Sequence, residues 1–466
     1  MRETRKLNLL KRELQQAVEE PSKAKSPLKS VLVTSLPAVV DLSSQTIMWT
    51  VEAIFIGQIS AAAFGGVGIA IQVIVLSMTV LLTFIVGASL IVTRKLGAGN
   101  HWEANHILGQ TLIIGVGLAI IITLVWYFGA PQLLSLIREE TGEARRAGVT
   151  YLRTISMFAP LIILNFIAIG VVRGAGETIN SMFVNVGTNV LNLILAPALI
   201  FGLWGFPRLE VYGAALAVGI SHTVGSMGTI YLLRSRRSAL FLAFMEITRP
   251  NWATFKRLFK AGLPTTLEQL VWAAGLLVVS TYAGVISITV LAAHQVFLRI
   301  QSVLSMVYMG FSLGAMSLMG KNLGAEQQKL AEKTAETSGW VIFVFAVAIS
   351  AGMLVFADFM FDMFTDDPQV IRTGKVVVGL FALVQIPKAV DAVLMGNLRG
   401  AGDLKWLMWI TIACVLVFEL GVSWLTGFVF NLSLWGFWIV HTTTETSRLI
   451  LNYWRFRGGN WKFFDM

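Results

Sequence analysis

The chain has 466 residues, of which 56% are apolar and only 13% charged, with a mean hydropathy of +0.73. That charged share is about half the globular average and excludes a protein solvated mainly by water. The net charge of +10 would suit nucleic acid, but its bearers sit in alternate connectors between apolar runs, the pattern of loops on one side of a membrane; the partner is the lipid bilayer, with no nucleic acid.

The first 27 residues are polar and rich in both signs of charge, without a short apolar core before a small-residue cleavage site. They read as a solvated tail, helical over LNLLKRELQQAVEE, and not as a secretory leader. A membrane helix takes about 20 apolar residues. Twelve such runs follow, near residues 30–56, 66–93, 107–129, 151–172, 178–203, 211–233, 258–284, 287–319, 337–362, 374–398, 404–430 and 432–455. The chain then divides into a tail (1–27), an N-terminal six-helix lobe (28–233), a linker (234–257), a C-terminal six-helix lobe (258–455) and a closing tail (456–466).

Basic residues precede the first run and follow every second one: Arg94 and Lys95, Arg173, Arg234 with Arg236 and Arg237, Lys321, Arg399 and Lys405, and Arg455 with Arg457. The intervening connectors are uncharged, charge-mixed or acidic, so the positive-inside rule places both termini in the cytoplasm and the chain in the plasma (inner) membrane. Cys414 is the single cysteine and lies within an apolar run, so no disulfide inside the chain is possible.

The two halves are copies. VRGAGE at 172–177 returns as LRGAGD at 398–403, LGAG at 96–99 as LGAE at 323–326, Gly87-Ala88 as Gly314-Ala315, and Pro37 as Pro264, at a constant offset of 226 or 227. Six spans per half restore the same sidedness, so the fold class is an all-α polytopic membrane protein of twelve transmembrane helices in two parallel six-helix repeats. The RGAG loops read as tight turns on the cytoplasmic side. Arg173 and Arg399 could anchor them on lipid phosphates or last-turn carbonyls, or make gating contacts between the halves.

A charge at membrane depth costs about 2.5 kcal/mol or more at a helix centre, so each ionisable residue there is a functional candidate. The first span carries Asp41 and Glu52 on one face, roughly 16 Å apart along the axis; Glu268, Asp391 and Glu419 stand in later spans. The register makes Asp41 and Glu268 equivalent, each four residues after a helix proline, and pairs Asp391 with Asn165. Interface hydration of Asp41, Glu268 and Glu52 competes with a coupling role, an intrahelical pair with Lys388 competes for Asp391, and Glu419 has no repeat partner. A poorly solvated carboxyl can exchange its proton against a cation as a cavity opens to either side, which suits an antiporter. No GxxxxGK[ST] loop or HExxH occurs, so neither ATP nor zinc chemistry is indicated; no enzyme and no cofactor are expected, and His294 in LAAHQ reads as a packing residue. The 14 Trp, 29 Phe and 17 Met could line a cavity that attracts organic cations.

These residues carry a resemblance. SLPAVVD with VEAIFIG, RKLGAGNHWEA, VRGAGE, NLILAPALIFG with GAALA, GLPTTLEQL, LAAHQ, GKNLGAE and LRGAGD together resemble the multidrug and toxic compound extrusion (MATE) family of cation-coupled efflux transporters over nearly the whole chain. The resemblance implies two lobes forming a V around a central cavity, and export of small organic substrates driven by inward flow of H⁺ or Na⁺. The family's acid near the end of VDxxFVG falls on Glu52. Its NxxxDP segment falls on Asn192 and Ala196, which lacks the carboxylate, and its threonine in GAAxAT falls on Val218. Those departures remove oxygen ligands that Na⁺ wants. The coupling ion expected is therefore H⁺, carried in the N-terminal lobe by Glu52 and Asp41, with a weak Na⁺ site near Glu52 and Asn192 as the alternative. Glu268 matches the GLPxxLEQ pattern of one bacterial branch; Asp403, the acid of RGAGD, reads as a helix cap. A flippase for a lipid-linked or amphiphilic substrate is the second reading; it wants a cavity rich in Arg and Lys, whereas the inner spans show chiefly Arg299 and Lys388. The chain is expected to act as a monomer.

Overall fold

The computed structural model describes residues 26–136, 142–235, 238–242, 250–357, 361 and 367–463, so most of the expected N-terminal tail lies outside the described residues. Helices account for nearly all of them: α1 (Pro27–Gly57), α2 (Ala61–Gly97), α3 (His101–Leu133), α4 (Glu143–Gly174), α5 (Thr178–Phe201), α6 (Glu210–Arg234), α7 (Trp252–Ile286), α8 (Ile288–Gly324), α9 (Gln328–Val355), a short α10 (Pro368–Lys375), α11 (Val378–Ala401), α12 (Leu404–Val429) and α13 (Ser433–Arg457). Eleven of the long helices are apolar enough to cross a membrane by length and composition. The twelfth, α13, is 25 residues long but dilutes its apolar run with His441, Glu445, Arg448 and Asn452, all of them buried. The chain is an all-helical multi-pass membrane protein, with α7 starting at Trp252, ahead of the expected 258. The connector between α9 and α11 carries α10, whose start is fixed by Pro368 and by Asp367 accepting from the Gln369 amide at 2.8 Å.

The sequence repeat reappears as local geometry. Ser60 caps α2 by accepting from the Ala63 amide at 3.0 Å, and Ser287 caps α8 by accepting from Val290 at 3.1 Å, both with extended backbone. The turn closing α2 bonds Ala98 to Arg94 and Asn100 to Lys95; the one closing α8 bonds Ala325 to Lys321 and Gln327 to Asn322. At the left-handed position of this turn the first copy has Gly99 (φ 72°) and the second Glu326 (φ 58°), so the second copy holds a side chain where glycine is free of strain.

The described residues form two compact units. One is Val40–Gly262, where α4 packs against α2, α3 and α6; in the other, made of Leu263 onward together with 26–39, α11 packs against α8, α9 and α13. The boundary cuts α1 and α7 beside their prolines, Pro37 and Pro264, so the start of each helix belongs to the unit built mainly by the other repeat. Gly262 of α7 lies against the Thr83 backbone of α2, and its repeat equivalent Ser35 of α1 lies against Gly314 of α8; a Cβ on either glycine would collide with its neighbour. The RGAG glycines do the same: Gly174 sits on Ser89 and Gly400 on the Met316 carbonyl, again at equivalent positions.

Candidate functional site

In the first unit, α1 carries Asp41 and Glu52 into different surroundings. Asp41 accepts from Ser181 Oγ at 2.8 Å and Asn185 Nδ2 at 2.8 Å, both on α5, and faces Arg173 Nη1 at 3.4 Å. Ser44, which bonds the Asp41 carbonyl, is itself held by Asn189 of α5 at 2.9 Å. Glu52 has a single partner among the described residues, the Tyr151 hydroxyl, which donates at 2.9 Å. It lies on a cavity of about 130 Å³ walled by Met48, Trp49, Met78, Trp126 and Phe166, with Gln45, Asn165, Asn185, Arg173 and His222 as its other polar groups. Arg173 and Asn185 thus touch both Asp41 and the cavity that holds Glu52. Val218 is on that cavity's wall. Asn192 is outside that wall, buried with both amide atoms unpartnered among the described residues, and Ala196 is buried. Asn165 accepts from Thr229 at 2.6 Å.

In the second unit the acids are paired. Glu268 Oε1 accepts from Arg399 Nη2 at 2.6 Å, the repeat of Asp41 and Arg173. Asp391 accepts from Asn452 at 2.8 Å and faces Arg448 at 3.5 Å; Glu445 takes Lys388 at 2.8 Å and faces Arg448 at 3.6 Å. Glu419 stands 2.7 Å from His441 Nδ1. It sits in a π-helical stretch of α12, Val415–Val422, whose wider turn departs from the α period. A cavity of about 210 Å³ is lined by Glu268, Asp391, Glu445, Lys388, Arg399 and Arg448, with Trp272 under both Lys388 and Arg448 at 5.1 Å from its ring centre.

Several expectations are corrected. Asp41, Glu52 and Glu268 are each at most 4% exposed, a burial that argues against their being acids hydrated at an interface; Asp391 and Glu419 are buried as well. Arg173 and Arg399 face the buried carboxylates of Asp41 and Glu268, a pairing the sequence reading did not foresee. Lys388 pairs with Glu445, across to α13, and not with Asp391 three residues on. Asp403 stands at the start of α12 but makes no side-chain cap bond; it takes Arg455 at 2.7 Å. Arg299 is exposed, whereas Arg448, which the sequence did not single out, is buried. Glu445, Tyr151, Ser181 and Asn185 were missed as well. The signal for Glu445 and Arg448 was present as an acid and a base three residues apart in the last span.

The MatE family profile matches residues 37–198 and again 264–425, the second match beginning 227 residues after the first and covering with it most of the chain. The chain belongs to the MatE family. A similar relative is the probable multidrug resistance protein NorM of Thermotoga maritima, 27% identical over 437 residues, which cover 93% of each chain. The uncharacterized transporter YisQ of Bacillus subtilis is 24% identical, covering 96% of this chain and 99% of its own. Among solved structures, an outward-facing multidrug resistance MATE family transporter of the MOP superfamily matches with a TM-score of 0.84 at 22% identity, over 96% of this chain and 98% of that one. A MOP superfamily transporter from Pyrococcus furiosus, described as having a binding pocket of reverse polarity, matches with the same TM-score at 22% identity, over 94% and 97%. MatE proteins are multidrug efflux transporters and not enzymes, and the duplicated fold is that of the solved MATE structures.

Proposed function

We propose that the chain is a secondary antiporter that exports organic, cationic and amphipathic compounds in exchange for protons by alternating access, with both termini on the cytoplasmic side of the plasma membrane. The observation that carries this is Glu52. It is buried on a cavity with one neutral donor, Tyr151, and no basic partner among the described residues, while the other acids of the spans face Arg, Lys or His. A lone carboxylate in a poorly solvated site is stabilised by taking up a proton, so Glu52 can cross between two accessibility states as a neutral group. Asp41, held by Arg173, Ser181 and Asn185, is its second carrier, and Arg173 is the link through which a change at one acid reaches the other. Glu268 and Asp391 form the corresponding C-terminal set, with Arg399 and Asp403 fixing the cytoplasmic ends of α11 and α12.

Protons are favoured over Na⁺ because Val218, on the wall of the cavity that holds Glu52, carries no side-chain oxygen, and a hard cation needs several. At about 130 and 210 Å³ both cavities are smaller than the roughly 300–1,000 Å³ that a drug-sized ligand occupies. They suit ions and water. The multidrug resistance names of the relatives support an organic substrate, and the antiporter needs no cofactor and works as a monomer.

The test is efflux of a fluorescent organic cation from proteoliposomes under a pH gradient or a Na⁺ gradient alone, with the membrane potential clamped. Transport by the pH gradient alone is expected; transport by Na⁺ alone would transfer the coupling site to Glu268 and Asp391. One observation favours a flippase for an anionic amphiphile, namely the three cations Lys388, Arg399 and Arg448 lining the C-terminal cavity. Each already faces a carboxylate, which leaves none to a phosphate, so this reading stays second.

A further inference from the structure

The buried network of the second unit contains four carboxylates, Glu268, Asp391, Glu419 and Glu445, against three permanent cations, Lys388, Arg399 and Arg448, with His441 as the remaining titratable member. With a neutral imidazole it is one positive charge short. Burying an unbalanced charge is costly, so the network has a built-in affinity for one proton.

The hydrogen bonds say where that proton goes. A carboxylate only accepts, so His441 Nδ1, 2.7 Å from Glu419 Oε1, carries a hydrogen. Its other nitrogen, Nε2, stands 3.2 Å from the Lys388 ammonium, which only donates, and is therefore a bare acceptor in the arrangement observed. A proton arriving from the cavity would bind there and set two donors, imidazolium and ammonium, against each other. The groups facing the ring are Glu419 on α12, Lys388 on α11, Glu445 on its own helix with Oε1 3.8 Å from Nε2, Trp272 on α7 at 5.9 Å between ring centres, and Trp438, edge-on at 5.3 Å, whose ring also lies 5.8 Å from that of His294 on α8. Arg448 lies beyond, on the far oxygen of Glu445. Of these only Glu445 can accept the new Nε2 hydrogen, and it is the carboxylate that holds Lys388.

We infer that the His441–Glu419 dyad is a second proton-binding site, in the C-terminal unit, and that Lys388 is its latch: protonation of Nε2 hands Glu445 from Lys388 to His441 and drives the lysine off the ring nitrogen towards the cavity it lines. The inference rests on the proton-coupled reading above and deepens it, by giving the C-terminal unit its own proton separate from Glu52. Deprotonation restores the observed arrangement, so the step conserves charge and atoms with water as the proton's source and sink.

Trp272 gives a readout that needs no substrate, since its ring touches both Lys388 and His441. Tryptophan emission of the purified full chain is titrated against pH, and the Trp272→Phe variant is used to isolate that residue's share. A pH-dependent step is expected in the Trp272 signal. It should vanish in His441→Gln, move to higher pH in Lys388→Met, which removes the competing cation, and move to lower pH in Glu419→Gln, which removes the anion that supports the imidazolium. Opposite shifts in the two partner variants carry the test even if His441→Gln folds poorly. A Trp272 signal without a step, a step that survives in His441→Gln, or shifts of the same sign would overturn the inference. Because no dye and no gradient enter, failure of the export reading would show separately, as absent efflux from proteoliposomes.

Discussion

Arg399 of the second RGAG loop reaches back to Glu268, four residues past the proline of α7, with Nη2 2.6 Å from Oε1. Arg173 of the first loop makes the same reach to Asp41, four residues past the proline of α1, at 3.4 Å. The duplicated loop is therefore half of a duplicated ion pair. It closes a turn, and it also neutralises the first buried acid of its own half.

Breaking one such pair leaves a buried carboxylate without its cation, which costs about 3–5 kcal/mol. Arg399→Met should lower the thermal midpoint of the detergent-purified protein markedly, and Arg399→Met with Glu268→Gln should recover most of the loss. A double variant no better than the single one would show that Arg399 stabilises through packing and not through Glu268.

Tyr151 supplies the one hydrogen bond that Glu52 receives among the described residues, and a hydrogen bond to a charged group is worth about 1.5–3 kcal/mol. Tyr151→Phe should reduce gradient-driven efflux about tenfold or more while leaving the melting temperature within a few degrees of the parent, because the ring still fills its place. Unchanged efflux would exclude Tyr151 as the group that holds the acid.

The close approach of α7 to α2 depends on Gly262, where a Cβ would run into the Thr83 carbonyl, whereas Gly187 on α5 has open space around it. Overpacking of this kind typically costs 1–3 kcal/mol, occasionally more, and here backbone has to move. Gly262→Ala should lose most of its folded yield on size-exclusion chromatography. Gly187→Ala should be stabilised by about 0.5–1 kcal/mol, the usual gain on replacing glycine in an exposed helix.

Glu326 occupies a left-handed position that its repeat equivalent fills with Gly99. Left-handed backbone costs a residue with a Cβ about 1–2 kcal/mol, partly offset by glycine's greater freedom in the unfolded chain. Glu326→Gly should raise stability by about 0.5–1 kcal/mol in thermal unfolding; a loss would mean that the Glu326 side chain makes a compensating contact.

The spans, the repeat and the equivalence of Asp41 with Glu268 were legible in the sequence, because apolar run length and a constant offset survive without any knowledge of packing. The partners were not. Whether Lys388 turns to Asp391 on its own helix or to Glu445 on α13 depends on how α11 and α13 are rotated against each other, and linear spacing favoured the wrong acid. Glu419 had no repeat equivalent, and its position facing His441 follows from π-helical turns that no simple periodicity announces. Ser181 and Asn185, on α5, reach Asp41 from about 140 positions along the chain, a pairing that only the packed unit reveals.

The central claim, that Glu52 carries the coupling proton, is tested most directly by Glu52→Gln in proteoliposomes assayed in two ways. With a pH gradient imposed, uphill accumulation of a fluorescent organic cation should fall to background; with dye at equal pH on both sides, exchange of internal for external dye should persist, since the substrate's path is intact and only the proton's carrier is gone. Uphill transport retained at the parent's level would contradict the account and place proton coupling elsewhere in the chain.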